Sequence, residues 1–332
     1  MLKRLKLLLA AIVLLSLSAG CVGEPPVSDK DSITLVIPYV TEGSGASINT
    51  IGRLLGAHLE ETLGVRIQVL SADTPYSGGW KGILRLLGAA PDGKTLLLAA
   101  GYHFTIGSQT QSDFDPFDLT FIASTHESAL GRFVRADSQF NTLEDLIAFG
   151  QVEGNRVPEV QNGIGFIASH LLSEAVGGFN YLDLPIDGHV DSVAYLAEDI
   201  YYVKMAHGSV AEALPFLEAG LVRPLLIESE NWPDNLVPSG VPTSGDVPST
   251  KDLYGYSVTE SALLLAPPGL PEETRIRLEQ AVEAALADPQ VFEEMSKTGE
   301  IIRFMSGAQA RTYTKQVADM YTPVLEYFGY LE

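Results

Sequence analysis

Short apolar runs alternate with segments of helical periodicity near the start of the chain, and this alternation limits the folds open to it. Runs at 33–38, 65–70 and 95–99 predict three strands, and the two segments between them repeat apolar residues at helical spacing. Glycine and proline mark short connections. A strand–helix–strand order with short connections predicts a parallel sheet with helices on both faces.

The same alternation returns in the middle of the chain. Further strands are predicted at 119–124, 132–135, 181–185, 201–206 and 223–227. One last strand, at 261–266, precedes three predicted helices at 271–287, 289–297 and 307–327. Because one strand cannot form a third sheet, we expect this tail to pack on the first one. The prediction is an α/β fold of two doubly wound lobes with a central cleft and C-terminal helices packed on the first lobe. The predicted bounds are 33–126 with 260–332 for lobe 1, and 127–259 for lobe 2.

The N-terminus carries the pattern of an export signal. A basic start is followed by an apolar run at 7–17, which is too short to span a bilayer core of about 30 Å. The only cysteine, Cys21, follows Ser18, Ala19 and Gly20, where a lipoprotein signal peptidase would cut. We therefore predict a signal peptide over 1–20, a lipid on Cys21, a flexible tether over 21–32 and an extracytoplasmic location. The alternative is a buried cysteine that falls there by chance.

The charge balance and the single cysteine exclude several functions. The chain has 42 acidic and 21 basic residues, a net charge of −21, and loss of the leader with its three basic residues would make it −24. Such a surface repels phosphate backbones, so we expect no nucleic-acid partner. One cysteine allows neither a disulfide framework nor a zinc site of paired CxxC motifs.

Three glycine-rich loops, at 43–47, 77–79 and 163–165, stand where a predicted strand gives way to a helix. Such a loop presents backbone N–H groups at the positive end of a helix dipole, which favours a carboxylate or phosphate. The alternative is that each glycine only permits a tight turn. Residues 163–168 also match the dinucleotide pattern G-x-G-x-x-A, but 156–161 is a poor candidate for the buried strand that this site needs.

The sequence contains no recognisable catalytic or metal-binding motif. G-x-S-x-G and H-E-x-x-H are both absent, and the histidines lack metal-ligand spacing. The carboxylates show no isolated pair in an apolar setting. We therefore predict a protein that is not an enzyme, with no cofactor and no metal. His103 and His207 each follow a predicted strand, so they could point into the cleft and are candidates for ligand contact.

Several segments in order resemble one family of receptors. They are ITLVIPY (33–39), RLLGAHLEETLGVRIQVL (53–70), SGGWKG (77–82), APDGKTLLLA (90–99), DFDPFDLTFIA (113–123), GIGFIASHLL (163–172), LPIDG (184–188), EAGLVRPLLI (218–227), VPT (241–243) and LLLAPPGLPEET (263–274). With these segments the chain resembles the substrate-binding proteins of tripartite tricarboxylate transporters, the Bug-type receptors. The resemblance implies a two-lobed fold of the periplasmic-binding-protein type that binds small organic acids, often di- or tricarboxylates.

The resemblance also implies partners and a site. The partners would be one large and one small integral membrane subunit. The receptor itself is expected to be a monomer, because no heptad or exposed apolar helix stands out in the sequence. The predicted ligand-binding residues are Gly43, Ser44, Gly45, Ala46, Ser47, Ser77, Gly78, Gly79, Tyr102, His103, Gly163, Gly165, Phe166, Pro185, Asp187, Gly188 and His207. Two positions depart from the family pattern: Asn49 stands where an aspartate is usual, and Asp187 would repel a ligand carboxylate unless water or a proton intervenes.

Two alternatives stay open at this point. One is an exported enzyme on a related α/β fold. The other is a two-lobed receptor that serves a sensor system, or that binds a neutral or amino-containing molecule.

Overall fold

The fold is taken from a computed structural model that describes residues 32–39, 46–71, 80–107, 115–161, 164–186, 189–258 and 260–331. The predicted leader and Cys21 lie outside these residues, as does nearly all of the predicted tether. Within the described ranges, no helix is long and apolar enough to cross a membrane.

The described strands form two sheets. The first is built from β1 (Ile33–Ile37), β2 (Ile67–Ser71), β3 (Thr95–Ala100), β4 (Thr120–Ser128), β10 (Glu260–Ala266) and β11 (Ile301–Ser306), in the order β11-β4-β10-β3-β1-β2. The second is built from β5 (Leu130–Arg135), β6 (Val157–Gln161), β7 (Tyr181–Pro185), β8 (Met205–Ser209) and β9 (Val222–Ile227), in the order β7-β6-β8-β5-β9.

Both sheets share one plan. Three parallel strands lie in the order β2-β1-β3 or β7-β6-β8, and the next strand, β10 or β5, runs antiparallel to its neighbours. The prediction of parallel pairing therefore holds only among β1, β2 and β3 and among β6, β7 and β8. The chain crosses into the second sheet at β5 and back into the first at β10. Each of these strands starts on the side where the parallel strands have their carboxyl ends, so it runs in the opposite direction to them.

Helices cover both faces of each sheet. Their bounds are α1 (Ala46–Leu63), α2 (Trp80–Leu87), α3 (Leu143–Gln151), α4 (Gly165–Ala175), α5 (His189–Ala197), α6 (Val210–Glu218), α7 (Thr250–Tyr254), α8 (Glu272–Ala287), α9 (Pro289–Ser296) and α10 (Gly307–Tyr327). Alternation along β1 sends Leu35 towards the core beneath α1, α8 and α9, and Val36 towards the core beneath α2. On the second sheet Phe133 faces α5 and α6, while Val134 faces α3 and α4.

The C-terminal tail returns to the first sheet, as predicted, but it is not wholly helical after β10. Strand β11 pairs antiparallel with β4 and forms the edge of that sheet. Helix α10 begins at a capping box formed by Ser306 and Gln309. Its second half also packs on α4 of the second sheet, through Val317, Tyr321 and Val324. The tail thus joins both sheets, while the predicted lobe bounds stay a prediction.

Two strands of the second sheet differ from the predictions. A 3-10 turn (Ile200–Tyr202) occupies the start of the strand predicted at 201–206, and β8 begins only at Met205. The segment dismissed as a poor buried strand is β6, whose Val157 and Val160 are completely buried. That interpretation was wrong because the charge of Glu159 is compensated by a partner on another strand, Arg132.

Candidate ligand-binding site

Aromatic side chains gather at the carboxyl ends of β1 and β3, which are neighbours in the first sheet. Tyr39 follows β1, while Tyr102 and His103 follow β3. The His103 ring lies 5.8 Å from the Tyr39 ring, nearly parallel to it, and 3.9 Å from the Tyr102 ring, centroid to centroid. The Tyr39 hydroxyl accepts a 2.8 Å hydrogen bond from the Ala100 amide. Ligands of open α/β sheets bind at such an edge, where the strand order reverses.

His103 is a neutral polar group at this edge. Its side chain is only 2% exposed, and burial lowers its pKa to about 3. Its Nε2 atom has no hydrogen-bond partner within the described part of the chain. A neutral imidazole can donate or accept one hydrogen bond at this atom, but it supplies no charge for an anion.

The first turn of α1 is tied to the strands by Asn49. Its Nδ2 atom donates to the Tyr39 carbonyl at 3.3 Å, and its Oδ1 atom accepts from the Ser71 hydroxyl at 2.5 Å. A carboxylate at this position could not donate to the Tyr39 carbonyl. The departure from the family's aspartate therefore has a structural role here, joining the ends of β1 and β2 to the helix.

Ser47, in the same turn, directs its hydroxyl at a carboxylate. Its Oγ donates a 2.8 Å hydrogen bond to Oε1 of the buried Glu300, in the turn that precedes β11. Gly299, beside it, has a φ of +87°, and a Cβ there would lie 2.6 Å from the Cα atom of Ala211 in α6. The turn at 298–300 therefore lies between the N-terminal ends of α1 and α6.

On the second sheet, the start of α4 packs closely against strand side chains. A Cβ on Gly165 would lie 2.6 Å from the Cβ of Gln161 and 3.1 Å from Nδ1 of His207. The glycine is therefore required by the close approach of helix and sheet. Phe166 packs against Phe328 and Tyr330 of the C-terminal tail, with ring centroids 5.7 and 5.8 Å away.

A buried ion cluster lies under α4. We define it as Arg132 on β5, Glu159 on β6, His207 on β8 and Glu228 just after β9; all four side chains are completely buried. Arg132 forms an ion pair with Glu159 and a 2.9 Å ion pair with Glu228. The His207 Nε2 atom lies 3.3 Å from Glu228 Oε2. The local sequence pattern gives no sign of these two buried carboxylates, each of which is paired with Arg132.

Burial sets the electrostatics of this cluster. It raises the pKa of the Glu228 carboxyl, while the Arg132 guanidinium lowers it. Burial also raises the pKa of the Asp183 carboxyl on β7, again opposed by Arg132. The Tyr256 hydroxyl has its pKa raised by burial and by the nearby Glu228. Two carboxylates thus share one guanidinium, and the cluster is no site for a further anion.

Comparison with known proteins settles the family. A model described as the tripartite tricarboxylate transporter family receptor, TctC, matches residues 51–326. The chain belongs to this receptor family. Receptors of this family are extracytoplasmic solute-binding proteins and not enzymes.

Relatives of this receptor are distant in sequence but cover its length. The UPF0065 protein in the gbd 5' region of Cupriavidus necator is 24% identical, over 96% of both chains. MatC from Rhodopseudomonas palustris, solved with bound malate, is 22% identical over 89% of this chain and 98% of its own, with a TM-score of 0.71. A second R. palustris structure, with adipate, is 21% identical over 91% and 98%, with a TM-score of 0.72. These structures show the two-lobed binding-protein fold.

The structure describes part of the receptor's predicted site. Four of these residues lie at the carboxyl ends of β1 and β3 or at the start of α1: Ala46, Ser47, Tyr102 and His103. Four others lie on the second sheet or its helices: Gly165, Phe166, Pro185 and His207. Pro185 is exposed at the end of β7. The remaining predicted residues fall outside the described ranges: Gly43, Ser44, Gly45, Ser77, Gly78, Gly79, Gly163, Asp187 and Gly188. Among the described residues, no three histidine, cysteine or acidic side chains lie close enough to hold a metal ion.

Proposed function

We propose that this receptor captures a small organic anion of the di- or tricarboxylate class between its two lobes and delivers it to a tripartite transporter. The observation that carries the proposal is the match to the receptor family over residues 51–326. Two structures of similar fold hold malate and adipate, which are both dicarboxylates. Delivery would be to the large and small membrane subunits, with the receptor a monomer held at the membrane by a lipid on Cys21.

The proposed binding groups are backbone amides more than charged side chains. At the first lobe they come from Gly43, Ser44, Gly45, Ala46, Ser47, Ser77, Gly78 and Gly79, together with the side chains of Tyr102 and His103. At the second lobe they come from Gly163, Gly165, Phe166, Asp187 and Gly188. Pro185, which has no N–H, would line the wall there, with His207 beneath it. The helix dipoles of α1 and α4 supply partial positive charge to this cleft. The neutral state of His103 supports such a site, because an imidazole can bond a carboxylate oxygen without carrying charge.

A ligand that also carries an amino group is the second candidate. The observation that favours it is the buried carboxylate of Glu300 against the first turn of α1. A carboxylate already at this helix end competes with a ligand carboxylate and attracts an ammonium group. In an amino acid with an acidic side chain, the carboxylates could bind the backbone amides while the ammonium group pairs with Glu300.

Titration calorimetry tests the proposal on protein lacking residues 1–20 and freed of bound ligand. The panel contains malate, adipate, succinate, citrate, aspartate and glutamate. We expect one-to-one binding of at least one dicarboxylate, weakened at least tenfold by His103→Ala. The matched control is His58→Ala, in the middle of α1, which should leave the affinity unchanged. Binding of no member of the panel would refute the organic-anion proposal, and binding of aspartate or glutamate alone would favour the second candidate.

A further inference from the structure

The buried ion cluster holds the start of α4 directly. The Ser169 hydroxyl on this helix accepts a 3.2 Å hydrogen bond from Arg132 Nη1. The same Oγ lies within donor distance of Glu159 Oε2, at 3.0 Å, and of the Gly165 carbonyl, at 2.8 Å. His207 fills the space beside Gly165, where a Cβ would lie 3.1 Å from its Nδ1 atom. The first two turns of the helix are therefore in contact with three cluster residues, Arg132, Glu159 and His207.

The same cluster reaches both segments where the chain crosses between the sheets. The first crossing connects β4, which ends at Ser128, to β5, which begins at Leu130. The Glu228 amide donates a 3.0 Å hydrogen bond to the Leu130 carbonyl. The Glu228 carbonyl accepts a 2.8 Å hydrogen bond from the amide of Val258, which precedes β10 and the second crossing. Glu228 thus contacts both crossings through its backbone and the cluster through its side chain.

The cluster has a physical reason to act as one unit. Its two carboxylates and one guanidinium are completely out of water, so each charge depends on its neighbours for compensation. Removal of one member leaves the others buried and unbalanced. A shift of α4 relative to β5 would break the Ser169 contacts and leave Arg132 and Glu159 with one hydrogen-bond partner fewer. A set of charges of this kind permits one arrangement of helix and strands and penalises others.

We propose that the buried ion cluster of Arg132, Glu159, His207 and Glu228 is a positioning device that fixes the first turns of α4 relative to the two interlobe crossings. Because its four side chains are completely buried, the cluster acts on the ligand site through Gly165 and Ser169. The consequence for affinity rests on the proposed function, which places ligand at the start of α4. The mechanical role itself does not depend on it.

Amide hydrogen exchange on the ligand-free protein tests the mechanical role. In wild type the amides of Ile167 and Ala168 bond to the Ile164 carbonyl, and they report on the first turns of α4. We expect His207→Ala to speed exchange over 167–172 at least tenfold, with α1 and α8 unchanged. His207→Gln, which retains a hydrogen-bonding side chain, should restore most of the protection. The matched control is His126→Ala, which removes another buried imidazole, on β4 of the first sheet.

The outcomes separate positioning from general stability. Unchanged exchange over 167–172 in His207→Ala, or an increase spread evenly over all helices, would overturn the proposal, as would selective loosening of α4 by His126→Ala. If His207→Ala does not fold, Ser169→Ala replaces it in the same measurement, because it removes only the hydroxyl contacts of the helix. Faster exchange over 167–172 in Ser169→Ala would then support the proposal, and unchanged exchange would overturn it.

Calorimetry with malate and adipate forms a separate arm. His207→Ala should weaken any binding seen in wild type at least fivefold. If wild type binds neither compound, the proposed function fails while the exchange measurement still decides the role of the cluster.

Discussion

The hydroxyl of Ser47 donates a 2.8 Å hydrogen bond to the carboxylate of Glu300, 253 positions away in the chain. It connects the first turn of α1 to the turn before β11, where Gly299 lies against Ala211 of α6, a helix of the second sheet. A buried carboxylate therefore stands at a helix end proposed to receive a ligand carboxylate. This relationship bears on both stability and ligand preference.

Ser47→Ala should lower the free energy of unfolding by about 1–3 kcal/mol, since a hydrogen bond to a charged group contributes on this order and its loss leaves Glu300 less compensated. Urea unfolding followed by circular dichroism measures the change. Thr312→Ala is the control, because the Thr312 hydroxyl bonds to the Ala308 carbonyl within the same helix, on the exposed side of α10. Equal effects of the two substitutions would contradict the assigned role of the Ser47 contact.

Glu300→Gln should favour dicarboxylates. The substitution removes a negative charge at the N-terminal end of α1 while keeping the shape of the side chain, so affinity for malate or adipate should rise about fivefold. Affinity for aspartate should rise less, because its ammonium group loses an attractive partner. The comparison uses calorimetry with both ligands at low salt. Glu294→Gln, on the exposed surface of α9, changes the net charge equally and should alter neither affinity.

Gly165→Ala tests the close approach of α4 to the second sheet. The added Cβ would lie 2.6 Å from the Cβ of Gln161, so the start of the helix must shift, at a cost of about 1–3 kcal/mol. Ligand affinity should fall with stability. Gly88→Ala is the control, because its nearest neighbours lie at an ordinary 3.6 Å. Wild-type stability and affinity in Gly165→Ala would refute the tight packing.

Local sequence signals predicted most of the fold but not all of it. Strands β1 and β3 and helix α1 follow from runs such as 33–38 and from helical spacing, which act within a few residues. Strand β11 was missed because its side chains are mostly half-buried and two helices flank it. Its strand conformation depends on pairing with β4, a contact between segments far apart in the chain.

The candidate site was less accessible to prediction. Arg132 and Glu159 are typical of solvated surfaces when considered singly, and the register that sets Arg132 opposite His207 is a tertiary property. The available local signal is Glu159, a charged residue between the apolar Val157 and Val160 of β6. The positions of Tyr102 and His103 just after a strand, by contrast, were a local and usable signal.

His126→Gln should make stability less sensitive to acid. Burial lowers the pKa of His126 to about 3, while in the unfolded chain it is about 6.5. Between these values the unfolded state binds one more proton, so stability falls as pH falls, by up to about 1.4 kcal/mol per pH unit. The substitution removes this contribution. The slope of the unfolding free energy against pH should therefore decrease between pH 6.5 and 4, by up to about 1.4 kcal/mol per pH unit. His58→Gln, on α1, is the control, and parallel curves for His126→Gln and wild type would contradict the prediction.

Arg303→Met tests an ion pair beside the interlobe crossings. Arg303 on β11 lies 2.8 Å from the Glu127 carboxylate, which is buried at the end of β4, whereas the Arg303 side chain is 42% exposed. Burial raises the pKa of Glu127 and Arg303 lowers it, so loss of the guanidinium raises that pKa further. Near neutral pH the ionised carboxylate loses its partner, and stability should fall by about 1 kcal/mol, a modest figure because solvent screens the exposed arginine.

This loss from Arg303→Met should depend on pH in a definite direction. A group whose folded-state pKa is raised binds its proton more tightly in the folded protein, so protonation of Glu127 relieves the penalty as pH falls through that pKa. The difference from wild type should therefore be largest at pH 7.5 and should shrink by pH 5, measured by urea unfolding at both values. Arg311→Met removes an equal charge that bonds to the Phe117 carbonyl, and its effect should not vary with pH in this way. A deficit in Arg303→Met that is constant, or that grows towards pH 5, would show that Glu127 does not depend on this arginine for its charge.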